Sequence, residues 1–189
     1  MSVFGFKEWK LVCDAMERGE QSIILRKGGI SEGKHGFQWL HREFFLFPGY
    51  FHEQSERLRL SWDAATEQPT KERDEVAVSL FAEIVKTWEI SDLDQARALS
   101  DLHVWKDEVI EERFGYGEND GLSLALVRLS RLPAPWVLAN RKGFGGCRSW
   151  LGLPENEGLA ENWREQLLAV DPIESVETVE GKIESALGG

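Results

Sequence analysis

From Gly121 to Leu132 the chain reads Gly-Leu-Ser-Leu-Ala-Leu-Val-Arg-Leu-Ser-Arg-Leu, an apolar-rich run without an acidic residue. In an extended chain Leu122, Leu124 and Leu126 alternate onto one side, and Ala125, Val127 and Leu129 fall nearly opposite. A strand apolar on both sides must be covered on both sides, so this segment demands a sheet buried inside a folded domain. Pro133 and Pro135 mark its expected end.

Shorter apolar runs supply partners. Gln21–Lys27 around Ile23, Ile24 and Leu25 predicts a strand that ends at Gly28-Gly29. Phe37–Leu40 and Glu43–Phe47 predict two short strands or one bent one, stopped by Pro48-Gly49. Val76–Trp88 fits both periods, and its β-branched start decides for a strand. Cys147–Leu153 predicts the last strand. Helical spacing is read in Phe6–Arg18 (Phe6, Trp9, Val12, Cys13, Met16) with Gly19 as its C-terminal cap. Further helices are expected over Tyr50–Leu60, Asp92–Ser100 capped by Ser91, Asp101–Phe114, Leu159–Val170 and Ile173–Leu187, with Trp62–Asp74 as a polar surface connection. Helices at both ends with strands between them give an α+β domain, a small mixed sheet or barrel with flanking helices. The expected layout is a core over residues 1–154 and an acidic helical extension over 155–189, packed on or next to it.

Length and composition agree with a globular chain: 189 residues, 42% hydrophobic, 29% charged, with eight Trp and ten Phe. No apolar run reaches the length of a membrane span, and no signal peptide is read at the N-terminus. Two distant cysteines, Cys13 and Cys147, suit a reducing compartment, so the cytoplasm is expected. The net charge of −11 argues against broad nucleic-acid affinity but is unevenly placed. After Trp150, nine acids face only Arg164 and Lys182. Between Gly121 and Pro154 stand Arg128, Arg131, Arg141, Lys142 and Arg148 and no acid at all.

Several motifs together carry a resemblance. These are Gly19-x-Gln21 with Ile24-Leu25-Arg26-Lys27-Gly28-Gly29-Ile30, and Phe45-Leu46-Phe47-Pro48 with His52 and Gln54. His103-x-Trp105, Val127–Leu132 and Gly145-Gly146-Cys147-Arg148-Ser149-Trp150 complete the set. With them the chain resembles a bacterial family designated a domain of unknown function, DUF1802. That resemblance implies no established activity, only a setting near Mrr-type restriction endonucleases. Met16–Lys27 is also similar to the helix, turn and basic strand of ASCH domains in the PUA-like superfamily, with Gln21 where those carry lysine. The likeness implies a small β-barrel of a kind used to bind RNA or modified bases.

Arginine offers phosphate a planar fork of donors, and glycine-rich backbone lets amide N–H groups approach an anion. The leading expectation is therefore a noncatalytic domain that recognises nucleic acid or a modified nucleotide, with no cofactor and no metal assigned. Arg26, Lys27, Arg128, Arg141, Lys142 and Arg148 would contact phosphate, and Trp150, Phe144 or Trp39 would stack on a base. The opposing expectation is that these cations only pair with the acidic C-terminal helices. A metal-dependent nuclease or phosphoesterase is the first alternative, using His35, His41 and His52 with Glu43 and Glu53, with His103 as the fourth histidine. Glu32-Gly33-Lys34 and Glu180-Gly181-Lys182 match a nuclease tripeptide by chance, and Cys147 is read as structural rather than as a nucleophile. A protein-interaction subunit docking through its acidic C-terminal helices is the second alternative.

Overall fold

The computed structural model describes residues 3–27, 37–50, 54–59, 74–117, 120–146 and 148–188. Its elements in chain order are β1 (Val3–Trp9), α1 (Lys10–Glu17), β2 (Ile23–Arg26), β3 (Glu43–Gly49), α2 (Gln54–Arg57) and β4 (Glu75–Ile90). They continue with α3 (Leu93–Ala98), α4 (Asp107–Phe114), β5 (Leu122–Ala139), β6 (Trp150–Leu153), β7 (Leu168–Ala169) and α5 (Val176–Leu187). Seven strands form one sheet in the order β2-β5-β4-β3-β1-β6, with β7 added to β5. Only β1 and β3 run parallel among these pairs, so the fold is α+β with a mixed sheet, as expected. The sheet curls until its edge strands approach, and Arg26 Nε of β2 donates to Ser149 Oγ just before β6 at 3.1 Å.

The sheet is covered on both faces. On β3, Phe44 and Leu46 enter one core and Phe45 and Phe47 the other. The first core holds α1, α3, α4 and α5 against Leu124–Val127. The second is a smaller aromatic core in which Phe45 meets Phe81 at 5.2 Å, Trp136 at 5.6 Å and Trp163 at 4.9 Å between ring centroids. The register shift between Val78 and Leu80 lets one strand serve both cores: Val76 and Val78 face the second, Leu80 and Ala82 the first.

Several boundaries differ from expectation for identifiable reasons. The N-terminal helix starts only at Lys10, because residues 3–9 pair with β3 on one side and β6 on the other. Two-sided pairing overrides a helical spacing that Phe6 and Trp9 also satisfy. Pro133 and Pro135 do not end β5: Leu132–Pro135 lie opposite a single β4 position between the Leu80–Arg131 and Val78–Trp136 pairs, so neither proline is asked to donate to the ladder. Pro48 likewise lies within β3 rather than after it. Phe37–Leu40 has no regular structure. Asp92, not Ser91, caps α3, accepting from Asp94 N at 2.8 Å. The expected Asp101–Phe114 helix is reduced to α4 because fully buried Trp105 forms a bridge with Leu58. Of Tyr50–Leu60 only α2 is helical among the described residues, and residues 62–73 of the expected surface connection lie outside them. The helix expected over Leu159–Val170 is instead turns, a 3-10 turn at Trp163–Gln166 and β7, anchored by Trp163 against Phe45 and Phe81.

Gly19 caps α1 with φ +74°, Gly19 N bonding Met16 O and Glu20 N bonding Ala15 O. The same glycine holds the C-terminal segment, since its carbonyl accepts from Ile173 N at 2.9 Å. From there Ser175 caps α5 by accepting from Thr178 N, and Val179 and Ile183 enter the first core.

Candidate nucleic-acid interface

The chain leaves β2 at Arg26 and enters β6 at Trp150, and sheet closure brings these two points together. Lys7 of β1 ties in the glycine-rich loop: its Nζ donates to Gly146 O at 2.9 Å, and its backbone N donates to Ser149 O at 2.9 Å. Half-buried Arg26 lies over the Phe6 ring, Cζ to centroid 5.2 Å, while bonding buried Ser149. Arg148 and Lys142 are exposed beside this junction in the chain. Arg26 thus converges with the Gly146–Trp150 segment.

Aromatic rings line the same end. Trp150 is half-buried, its indole N–H donating to Gln38 O at 3.0 Å and its ring standing 4.9 Å from Phe6, 5.1 Å from Phe44 and 5.0 Å from His41. His41 stacks on Phe4 at 3.4 Å, and burial lowers its pKa, so the neutral imidazole is favoured there. Trp39 packs on Phe6 at 5.6 Å, and its indole Nε1 is buried with no hydrogen-bond partner among the described residues.

Other expected site residues go elsewhere. Lys27 Nζ donates to Phe114 O at 2.9 Å and Gly121 O at 3.0 Å, and burial lowers its pKa against the opposing pull of Asp120. Exposed Arg128 lies across from Glu83 on β4, and its charge also reaches Glu177 on α5. Arg141 pairs with Glu157, which raises its pKa by hydrogen bonding and charge. Phe144 is buried against Phe47 at 5.1 Å. Pairing with C-terminal acids thus accounts for Arg141, though not for Arg26 or Lys27.

The alternative chemistries are distributed as follows. His35, His52, Glu53 and Cys147, with Glu32-Gly33-Lys34, lie outside the described residues. Glu43 pairs with Arg164 at 2.7 Å, and His103 lies beside Arg59, Nδ1 to Nη2 3.3 Å. No three His, Cys, Asp or Glu residues converge on one point among the described residues. On α5, Glu180 pairs with Lys86 and Lys182 with Glu174. No helix of the described residues is long and apolar enough to cross a membrane.

Residues 5–165, most of the chain, match the family described as a domain of unknown function, DUF1802. The chain belongs to this family. No curated protein is significantly similar to it. Among solved structures, ASCH from Zymomonas mobilis matches this DUF1802 chain with a TM-score of 0.49 and 12% identity, covering 89% of this chain and 97% of that one. A serine-to-alanine variant of the same protein matches with a TM-score of 0.47 and 11% identity, covering 82% and 89%.

Two further features of this DUF1802 chain escaped sequence reasoning. Glu8 is 2% exposed on β1, with one carboxylate oxygen unpartnered among the described residues. Arg113 lies over Trp105, its Cζ 3.7 Å from the ring centroid. Both had been absorbed into expected helices, where a charged residue reads as solvated. A strand alternation Phe4, Phe6, Glu8 was the signal that could have exposed the first.

Proposed function

We propose that this protein is a noncatalytic recognition domain for nucleic acid or a modified nucleotide, binding at the end of the sheet where β2 and β6 meet. The convergence of Arg26 with the Gly146–Trp150 segment carries the reading. Arg26, Lys142 and Arg148 contact phosphate, and Trp150 with Trp39 offers aromatic surface for a base. Lys27 instead supports the backbone near Gly121, Arg128 and Arg141 serve neighbouring acids, and Phe144 supports the loop from the second core. Within this proposal, association with a restriction system in the cytoplasm supplies the DNA.

The test measures binding to single- and double-stranded DNA and RNA, modified and unmodified, at two salt concentrations. Lys142→Ala/Arg148→Ala changes only exposed side chains, so the fold is retained. Affinity is expected to fall with salt, and the double variant to lower the slope of log K against log salt by about 1.4–1.8. Unchanged affinity and slope in the variant refute the assignment.

A further inference from the structure

Duplex DNA carries one negative charge for about every 1.7 Å of its length, so a protein that holds it needs a long track of cations free to meet phosphates. Across this molecule lysines and arginines instead face acids of the same chain: Arg97 pairs with Glu111 at 2.7 Å, Lys86 with Glu180 at 2.9 Å and Arg164 with Glu43 at 2.7 Å. Near the candidate site Lys7 is tied to Gly146 O, Arg42 to Ile84 O and Arg141 to Glu157. Arg131 is exposed, but it stands eight residues along β5 from Ser123, the partner of Arg26, which is about 26 Å of strand. Arg26, Lys142 and Arg148 remain at the site without an ion pair among the described residues. Three such cations engage about three phosphates, and the net charge of −11 opposes the approach of any longer polyanion.

The aromatic side chains point the same way. In a duplex each base is covered on both faces by its neighbours, whereas an unpaired strand exposes those faces for stacking. Trp39, His41 and Trp150 are half-buried at the site, and Leu40 beside them is 59% exposed. Trp150 is braced by Phe44 at 5.1 Å and by its indole N–H on Gln38 O, so its ring is fixed before a ligand arrives. We propose that the site takes an unpaired stretch of about three nucleotides, with phosphates on Arg26, Lys142 and Arg148 and bases beside Trp39 and Trp150. The inference rests on the nucleic-acid reading above and narrows its ligand to a short single strand. Phosphates and base faces are common to DNA and RNA, so either sugar supplies this chemistry.

The experiment measures the affinity of the full chain for single strands of two, four, eight and sixteen nucleotides, as DNA and as RNA. A blunt sixteen-base-pair duplex and a four-residue abasic strand, which keeps the phosphates and lacks the bases, complete the series, each at two salt concentrations. Corrected for the number of registers a longer strand offers, affinity should rise up to four nucleotides and then stay within about twofold. The slope of log K against log salt should lie near −2, about 0.7 for each of three phosphates, at four and at sixteen nucleotides alike. Lys142→Ala/Arg148→Ala should bring that slope to about −0.7. The duplex and the abasic strand should each bind at least about tenfold more weakly than the four-nucleotide strand. DNA or RNA strands that behave in this way uphold the proposal, and the tighter of the two names the source. A duplex bound as tightly as the single strand, a slope that steepens with strand length, or an abasic strand of equal affinity overturns it while the wider nucleic-acid reading stands. Absence of binding by every strand and duplex, modified or unmodified, removes both.

Discussion

Lowering the pH from 7 to 5 should destabilise this fold through His103. The residue is 6% exposed, and Arg59 Nη2 stands 3.3 Å from its Nδ1 while also donating to Ser100 O at 2.6 Å. Since arginine can only donate, Nδ1 accepts and the proton resides on Nε2, a buried atom with no hydrogen-bond partner among the described residues. Burial, then the charges of Arg59 and Arg113, lowers the His103 pKa from 6.5 to about 3. Between those values the unfolded chain binds a proton that the folded one refuses. Stability from this group is therefore complete above pH 6.5 and is lost as the pH falls toward 3. At about 1.4 kcal/mol per pH unit, the fall from 6.5 to 5 costs about 2 kcal/mol. Urea denaturation at pH 7 and pH 5 measures the loss, and His103→Gln supplies the control by removing the titrating group. The unaltered protein should lose about 2 kcal/mol more than the variant between the two pH values. Equal losses in both proteins, or a His103 resonance titrating near pH 6.5, would refute the reasoning.

Two further substitutions separate scaffold from site. Lys27→Met removes the donor shared by the Phe114 and Gly121 carbonyls, and should cost about 1–3 kcal/mol in urea denaturation while leaving oligonucleotide affinity within twofold. Gly19→Ala puts a Cβ onto the Asp171 carbonyl oxygen and 3.0 Å from Pro172 Cα, at a φ of +74°. It should lower stability by about 1–3 kcal/mol and speed amide exchange at Ile173, read by hydrogen exchange.

Of the long strands, Gly121–Leu132 was legible from its alternation, and Val76–Trp88, which fits both periods, only from its β-branched start. Val76–Trp88 lies wholly within β4, and Gly121–Leu132 fills most of β5. The DUF1802 motifs were legible too, and the family match covers them. What escaped was decided by distant partners. Nothing local distinguishes Phe6 and Trp9 in a helix from Phe6 and Trp9 in a strand until β3 and β6 are placed beside them. The prolines of β5 read as stops because the bulge that accommodates them belongs to the pairing with β4. In the candidate site, the basic residues near Gly146 stood out by charge, and Arg26 stood out through its motif. Arg141 and Lys27 stood out equally, and only the positions of Glu157 and two carbonyls show how each is engaged. Glu8 and Arg113 were invisible for the opposite reason, because the residues that bury them come from β1, α4 and the Trp105 bridge.

The place of β1 also sets the order in which this molecule can be assembled. Its parallel neighbour β3 lies some forty residues downstream, but its other neighbour, β6, is reached only at Trp150–Leu153. During synthesis β1 must therefore wait until Trp150, the partner of Phe6, has been made before both its edges are paired. Until then Phe4, Phe6 and Glu8 sit on an open edge. Lys7 with Gly146 and Arg26 with Ser149 both need that same late segment, so closure of the sheet and assembly of the candidate site draw on the same residues.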